Sequence, residues 1–357
     1  MSRIVSVAPA LPPHEHAQAE ITGMLADRLA DEPAARAVLR RVHAASGIST
    51  RHLALPLEQY AGLDGFSETN ALFVEHGLAL AERAVTAALT EAGLDVGDVD
   101  HLFFTTVTGV QAPSLDALLA TSMGFRDDLR RVPSFGLGCV AGAAGLARVA
   151  DYLAGHTHGV ALLVSVELCS LTLQWSDRSM ANVVGTGIFG DGAAAVVMVG
   201  EEHPLAVSAR AAARALPRVV ASRSALYPDS AEMIGWRVGT EGFRLMLAAG
   251  VPALIDGHFA AGVDALLASS GLTRDDIDEW IAHPGGPRIL ESFAAALDLP
   301  PGALASAWQT MERVGNLSSA AVLHVLAAVG DRPAGTRALL FAVGPGVTAE
   351  LVLLEWS

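Results

Sequence analysis

The residue best suited to nucleophilic chemistry is Cys139, in the segment PSFGLGCVAGAAGLARVADYL. Small residues fill the start of the helix predicted to follow it, over 140–154. A helix N-terminus has unpaired N–H groups and a partial positive charge, and both favour a thiolate over a thiol. The glycines around the turn would let a ligand approach closely. We therefore expect Cys139 to be a reactive nucleophile with a lowered pKa, although most cysteines are buried structural residues.

A cysteine nucleophile needs a base and hydrogen-bond donors, which are often distant in sequence. His283 ends a predicted strand in WIAHPGGP, where the following proline and glycines force a turn that would lift its ring from the sheet edge. Asn316 lies in ERVGNLSSAAVLHVL, where a Gly-Asn step opens a helix. A helix N-cap is the default interpretation of such an asparagine, and a strand-end histidine is structural about as often as functional. With Cys139, however, an amide N–H and an imidazole N–H would supply two donors for an enolate oxygen.

The elements that must position these residues alternate between helix and strand, which predicts an α/β protein. The segments 18–44 and 70–93 have helical spacing, and short β-prone runs bounded by Gly and Pro follow from His101 onward. The other predicted helices cover 140–154, a segment near 240–270, 287–297 and 318–329. The other predicted strands cover 101–110, 159–170, 192–200 and 278–286, and a closing hairpin turns at Gly344-Pro345-Gly346. We divide the chain into two α/β halves, 1–205 with Cys139 and 206–357 with His283 and Asn316.

Composition excludes several classes of function. The formal charge is -15, with 38 acidic against 23 basic residues, which argues against a nucleic-acid partner. The 2 cysteines are too few to stabilise 357 residues by disulfides, so we expect the protein to lie in the reducing cytoplasm. No His/Cys spacing is typical of a metal site, and we expect no metal or redox cofactor. The N-terminus is too interrupted for a signal peptide, and no apolar run of about 18 residues predicts a membrane span.

Five motifs together resemble one enzyme family. FGLGCVAGAAG, IFGDGAAAV, WIAHPGGP, GNLSSA and VGPGVTAELVLL occur in the order and spacing of the type III polyketide synthases, the chalcone-synthase-like group. The resemblance covers nearly the whole chain and is far more specific than any one motif. It implies a thiolase-like layered αβαβα fold, a homodimer, and repeated decarboxylative condensation of malonyl-CoA onto an acyl-CoA starter, with CoA thioesters as the only small molecules required.

The same resemblance assigns roles to residues. It implies that Cys139 is the nucleophile, that His283 and Asn316 are the decarboxylation pair, and that Phe189 and Phe243 are gatekeepers. Further predicted pocket and CoA-binding residues are Cys169, Leu171, Thr172 and Ser318 for the pocket, and Arg40, Arg41, Arg51, Gly285 and Gly286 for CoA. The alternative for the arginines is a solvated helix face. The segments FGLGCVAGAAG and VSVELCSLT are similar to those of bacterial family members that make alkylpyrones or alkylresorcinols. This similarity predicts a pyrone or resorcinol-type product.

Two other functions remain open at this point. The ketoacyl-ACP synthase III group shares the fold and a Cys-His-Asn set, but it typically has His-Gln-Ala-Asn where this chain has HPGGP, and Gly-Asn-Thr where this chain has GNLSSA. A catalytically inactive dimeric scaffold is the second alternative, and the three intact catalytic positions argue against it. The sequence leaves open the starter, the number of extensions, the cyclisation mode, and whether the acyl donor is bound to CoA or to a carrier protein.

Overall fold

The computed structural model describes residues 2–211 and 215–357. From His101 to residue 211 its strands and helices alternate, as the sequence predicts, whereas the strands before His101 are not among the predicted elements. The elements are β1 Ser2–Ala10, β2 His14–Ala17, α1 Gln18–Leu29, α2 Pro33–Ala44, β3 Thr50–Leu53, α3 Gly65–Ala92, β4 His101–Thr106, α4 Leu115–Met123, β5 Arg130–Phe135, α5 Ala141–Ala154, β6 Val160–Leu168, α6 Met180–Ile188, β7 Asp191–Gly200 and α7 Pro204–Ala211.

The second half contains a small separate hairpin besides its main strands and helices. The elements are β8 Pro217–Leu226, β9 Ile234–Gly239, β10 Gly242–Leu247, α8 Val251–Ser269, β11 Glu279–Ala282, α9 Pro287–Leu297, α10 Ala305–Val314, α11 Ala321–Val329, β12 Arg337–Gly344 and β13 Thr348–Trp356. The paired strands β9 and β10 form a two-stranded sheet of their own.

The main sheet repeats one pattern twice. Within the described residues it has nine strands in the order β11-β12-β13-β8-β1-β7-β6-β4-β5. In the first half β1 is antiparallel to β7, β7 is antiparallel to β6, and β6 is parallel to β4. In the second half β8, β13, β12 and β11 follow the same directions. In the described part of the chain the two parts join where Ser2 pairs with Val219 and Arg3 with Arg218, so they form two sheets that meet at one corner.

Two central helices lie between these sheets, and outer helices cover them. The helix α5 contacts strands of both halves, as does α11, while α3 packs on β1, β6 and β7, and α8 packs on β8 and β13. This is the layered αβαβα arrangement of the thiolase-like fold, which confirms the predicted fold class. The central helices approach closely at Gly142, where an added Cβ would lie 2.4 Å from the backbone oxygen of Ser319.

Several element boundaries differ from the predictions. The segment 18–44 is two helices because Pro33 starts α2 at a position where proline fits a helix. The helix predicted over 70–93 starts earlier, at Gly65, and ends as expected before Gly93, which has a φ of 68°. The helix predicted near 240–270 is wrong over its first part, because the chain reverses between β9 and β10 and only Val251–Ser269 is helical.

The helix α8 is the one helix in the described part of the chain that is long and apolar enough to span a membrane by length and composition. Its buried side chains include Ile255, Phe259 and Val263, and it packs against α9 as well as the sheet. Helices that pack on the core of a globular protein are commonly as long and apolar as this one. The packing of α8 in the outer layer of the fold therefore explains its apolar composition.

Candidate active site

Cys139 lies in a tight turn at the start of a central helix. The 3-10 turn Gly138–Val140 continues directly into α5, which places the thiol at the helix start as predicted from sequence. Gly138 has a φ of 54°, and an added Cβ there would lie 2.6 Å from the Cγ of Pro345. Only glycine fits this contact without displacing a neighbour, so the turn between β12 and β13 fixes the position of Cys139.

The thiol of Cys139 is not activated in the free protein. The pKa of Cys139 is raised to about 12, chiefly by burial; a hydrogen bond with Ser318 acts to lower it, and the nearby carboxylate of Glu167 contributes to the rise. The distance from Cys139 Sγ to Ser318 Oγ is 3.7 Å. The expected lowering of this pKa is therefore wrong, because loss of water around the buried sulfur is the largest effect on it.

Asn316 is held by the backbone that carries Phe189. The N–H of Asn316 donates to the oxygen of Ile188 at 2.8 Å, and the N–H of Gly190 donates to the oxygen of Asn316 at 3.0 Å. The side-chain Oδ1 accepts the N–H of Ser318 at 2.8 Å, and Nδ2 donates to the oxygen of Gly285 at 3.3 Å. Nδ2 has a second hydrogen, so the amide retains a donor for a substrate oxygen.

His283 follows β11 directly, and its N–H donates to the oxygen of Phe341 at 2.8 Å. Burial lowers the pKa of His283 to about 3, so the imidazole is neutral at pH 7. Its Nδ1 is buried and has no hydrogen-bond partner in the described residues. Gly285, two residues on, accepts the amide of Asn316, so a chain of contacts runs from Cys139 through Ser318, Asn316 and Gly285 to the turn that carries His283.

Glu167 is a residue of this site that the sequence interpretation missed. It lies on β6, is fully buried, and accepts hydrogen bonds from Ser318 at 3.2 Å and from Ser319. The signal was present in the sequence, because an acidic residue interrupts the apolar strand VALLVSVEL. Charged residues are almost never fully buried unless they are paired, so a buried Glu is an informative exception.

The predicted gatekeepers Phe189 and Phe243 line one cavity of about 60 Å³, together with Cys169 and Thr172. The walls of this cavity are mostly apolar, and Cys139 is not among them. Leu171 instead lines a neighbouring cavity of about 230 Å³. Cys169 follows the end of β6 and starts a 3-10 turn, so it is a wall residue rather than a strand residue.

The predicted CoA-binding arginines do not share one environment. Arg40 and Arg41 are exposed on α2, and Arg40 borders an open cavity between α1 and α2. Arg51 is only 2% exposed, and its Nη1 donates to the oxygens of Thr186 and Phe189 at 2.8 and 2.7 Å. A CoA contact for Arg51 is therefore wrong, because the guanidinium is enclosed below the Phe189 backbone and cannot reach a phosphate in solvent.

The two predicted CoA-binding glycines lie beside His283. Gly285 is half-buried, and an added Cβ there would lie 3.4 Å from the Cδ2 of His283. Gly286 is buried, precedes α9 and has a φ of 142°. No group of three or more His, Cys, Asp or Glu side chains in the described ranges could hold a metal ion.

Comparison with known families assigns the class of protein. Residues 1–202 match the N-terminal domain of chalcone and stilbene synthases, and residues 218–356 match the C-terminal domain of the same family. The chain belongs to this family and is a type III polyketide synthase, an acyltransferase-type condensing enzyme. This confirms the resemblance found in the motifs, and it does not favour a ketoacyl-ACP synthase III or a scaffold.

Individual relatives cover almost the whole chain. A 1,3,6,8-tetrahydroxynaphthalene synthase of Streptomyces peucetius subsp. caesius is 51% identical over 99% of this chain and 93% of its own length. The alpha-pyrone synthesis polyketide synthase-like Pks18 of Mycobacterium tuberculosis is 31% identical over 92% of this chain and 86% of its own. The crystal structure of the 1,3,6,8-tetrahydroxynaphthalene synthase of Streptomyces coelicolor A3(2) superposes with a TM-score of 0.91, at 30% identity, covering 99% of both chains.

Proposed function

We propose that this chain loads an acyl-CoA starter on Cys139, extends it repeatedly with malonyl-CoA, and closes the chain to a fused, polyhydroxylated aromatic product. The observation that carries the proposal is the chain of contacts that joins Cys139 of the first half to Asn316 and the His283 turn of the second. The name of the relative at 51% identity supports the fused aromatic product. The pyrone or resorcinol-type closure expected from the sequence is the competing outcome, and the Pks18 relative favours it.

The loading step requires a proton acceptor close to the sulfur, because a thiol with a pKa of about 12 is neutral at pH 7. His283 is the group proposed to take this proton as the sulfur attacks, because its imidazole is neutral and its Nδ1 has no hydrogen-bond partner in the described residues. As Cys139 loses its proton to His283, the thiolate attacks the carbonyl carbon of the acyl-CoA. The bond from that carbon to the CoA sulfur breaks, and the CoA thiolate takes the proton from His283.

The extension step uses the amide of Asn316 and the imidazole of His283 as donors to the thioester oxygen of malonyl-CoA. Loss of carbon dioxide leaves the bonding electrons on an enolate, whose oxygen these two donors stabilise. The enolate carbon then attacks the thioester on Cys139 and expels the thiolate. The lengthened chain, now on CoA, returns to Cys139 by thioester exchange, and no metal or redox cofactor is required at any step.

The test of this function is an assay of the purified protein with malonyl-CoA and a panel of aliphatic and aromatic acyl-CoAs. We expect products whose masses increase by one two-carbon unit for each malonyl-CoA consumed. A fused aromatic product would support the proposal, a pyrone or resorcinol would correct its cyclisation step, and release of carbon dioxide without any extended product would contradict it.

We propose that Arg41, with Arg40, binds the phosphates of CoA. Both side chains are exposed on α2, and the protein as a whole is acidic at a formal charge of -15, so a polyanionic substrate needs a local basic patch. We expect Arg41→Ala to raise the KM for CoA esters about tenfold and to change kcat by less than about twofold, since a lost phosphate contact weakens ground-state binding.

The control for that measurement is Arg148→Ala, which removes another exposed arginine, from α5. Steady-state kinetics with an acyl-CoA and the corresponding acyl-pantetheine separate the effects. The larger KM should appear only with the CoA ester, because the pantetheine analogue lacks the nucleotide phosphates. An unchanged KM in Arg41→Ala would remove Arg41 from the CoA site.

We also propose that two copies of the chain pair along β5. This strand is the edge of the main sheet, and Val132 and Phe135 on it are 43% and 50% exposed. A cavity beside it is lined by Val110, Pro133 and Phe135, so apolar surface and unpaired strand edge coincide. Exposed edges of this kind favour pairing with a second chain. Sedimentation of the protein at micromolar concentration should give twice the mass of one chain, and a monomer would contradict the proposal.

We place the enzyme in the cytoplasm. Both cysteines are free, as a reducing compartment requires. The proposed substrates, an acyl-CoA starter and malonyl-CoA, are intracellular thioesters. The proposal includes no nucleic-acid partner and no membrane partner.

A further inference from the structure

The carboxylate of Glu167 is buried beside the proposed site, yet the reaction above gives it no role. Its Oε2 accepts the N–H of Val107 at 3.0 Å and the hydroxyl of Thr108 at 2.9 Å. Its Oε1 accepts the hydroxyls of Ser318, at 3.2 Å, and Ser319. These donors are neutral and come from separate parts of the chain, so they fix the carboxylate in one orientation.

This arrangement is costly to the fold. Burial raises the pKa of Glu167, which means that the interior disfavours its charged form, and the hydrogen bonds only partly offset that effect. An apolar residue would suit the neighbours of β6 better, since all residues of the strand are buried and Ser165 is its one other polar residue. A buried carboxylate that is retained at this cost points to a use of its hydrogen bonds.

The use is visible at Ser318, which adopts a conformation that residues other than glycine rarely take. Its φ is 49°, in the left-handed region. Such backbone strain persists only where surrounding contacts hold it. Three contacts meet here, because the Ser318 hydroxyl donates to Glu167, its oxygen accepts the thiol of Cys139, and its backbone N–H donates to Oδ1 of Asn316.

We propose that Glu167 is a positioning residue, which anchors Ser318 and thereby orients the amide of Asn316 towards the malonyl thioester. This inference rests on the proposed function. The N–H of Ser318 holds Oδ1 of Asn316 at 2.8 Å, and this directs the opposite, donor end of the amide. If Ser318 relaxed from its left-handed conformation, that N–H would turn away and the amide would rotate.

The hydrogen bonds of Glu167, not its charge, carry this role. A glutamine at position 167 could keep its oxygen on Val107 and Thr108 and direct its two N–H groups at Ser318 and Ser319, whose hydroxyls can reverse direction. A leucine of similar size would accept none of these hydrogen bonds, although the hydroxyl of Ser319 would still contact that of Ser165. The two substitutions therefore separate the anchor from the charge.

The test measures decarboxylation of malonyl-CoA in a Cys139→Ala background, because this step does not need the nucleophile. We expect Glu167→Leu to lower kcat for carbon dioxide release by about 30- to 100-fold with little change in KM, since a misdirected oxyanion donor acts on the transition state. In Glu167→Gln the kcat for decarboxylation should fall by less than about fivefold, since glutamine can still hold Ser318 by hydrogen bonds. Ser318→Ala should lower this kcat by about as much as Glu167→Leu does. The double variant should have a kcat no lower than either single variant, because both changes break the same Glu167–Ser318 hydrogen bond.

The matched control is Ser319→Ala. It removes a hydroxyl from the same oxygen of Glu167, and the side chain of Ser319 contacts Glu167 and Ser165 rather than Asn316. We expect its decarboxylation rate to stay within about threefold of the background. If Glu167→Leu does not fold, the decarboxylation rates of Ser318→Ala and Ser319→Ala are compared instead. An equal loss of rate in both variants would contradict the proposal that Glu167 acts through Ser318.

A second measurement reports on the charge alone. Alkylation of Cys139 by iodoacetamide should shift to lower pH in Glu167→Gln, because the carboxylate that raises the pKa of the thiol is gone. A normal decarboxylation rate in Glu167→Leu, or losses that multiply in the double variant, would overturn the inference. If the background variant releases no carbon dioxide from malonyl-CoA at all, it is the proposed function that fails instead.

Discussion

Replacing Cys139 with alanine is expected to lower polyketide formation by about 10⁴-fold or more, because loss of a nucleophile removes the covalent route altogether. Release of carbon dioxide from malonyl-CoA should continue in the same variant. In the proposed mechanism Asn316 and His283 carry out that step without the sulfur, and Cys139 contacts Ser318 through its side chain only by one long hydrogen bond of 3.7 Å. The expected result is therefore an enzyme that consumes malonyl-CoA without building a chain.

Intact-protein mass spectrometry after incubation with acyl-CoA provides the direct check. The unmodified protein should gain the mass of one acyl group, peptide mapping should locate it on Cys139, and Cys139→Ala should gain nothing. Cys169→Ala is the matched control, since Cys169 is the other cysteine of the chain and its thiol is buried in the cavity wall. An adduct on Cys169, or none on either residue, would contradict the assignment of the nucleophile.

Asn316→Asp is expected to lower malonyl-CoA decarboxylation by about 10²- to 10³-fold, the usual loss when one oxyanion donor is removed. The substitution keeps the shape of the side chain and the oxygen that accepts Ser318. It replaces the donor Nδ2 with an acceptor and, when ionised, adds a negative charge next to the developing enolate. The fall should appear in kcat, because the donor acts on charge that forms only in the transition state.

Loading of Cys139 is the internal control for that variant. In the proposed mechanism the starter acyl group reaches the sulfur without help from the Asn316 amide, so the mass adduct should form in Asn316→Asp at close to the normal rate. Loss of the adduct together with decarboxylation would mean that the substitution disturbs the whole site. Normal decarboxylation would remove Asn316 from the reaction.

The motifs around Cys139, His283 and Asn316 predict the family and the fold, because each lies where a backbone turn is dictated by local residues. Gly138 and the pair Gly285–Gly286 set those turns, and such requirements are visible in a sequence. The roles of the three residues remain predictions. The beginning of α5 at Ala141, just after Cys139, was predicted for the same reason.

Other features depend on distant parts of the chain and were not predictable. Arg51 resembles a surface arginine in sequence, but α6 and Phe189 enclose it. The pKa of Cys139 rises because of burial and Glu167, which are both results of packing. The segment 240–247 contains good helix formers, yet Phe243 and its neighbours pair with β9, since the glycines at 239 and 242 turn the chain back.

The close approach of Gly142 to the backbone oxygen of Ser319 sets the distance between the two central helices at the active site. Cys139 precedes α5 through one 3-10 turn, and Asn316 precedes α11 through another, so corresponding helix starts of the two halves supply the nucleophile and the amide. With an added Cβ only 2.4 Å from that oxygen, any larger residue at position 142 would push the two starts apart. The distance between the halves, and with it the register of the reacting groups, is thus set by the absence of a single methyl group.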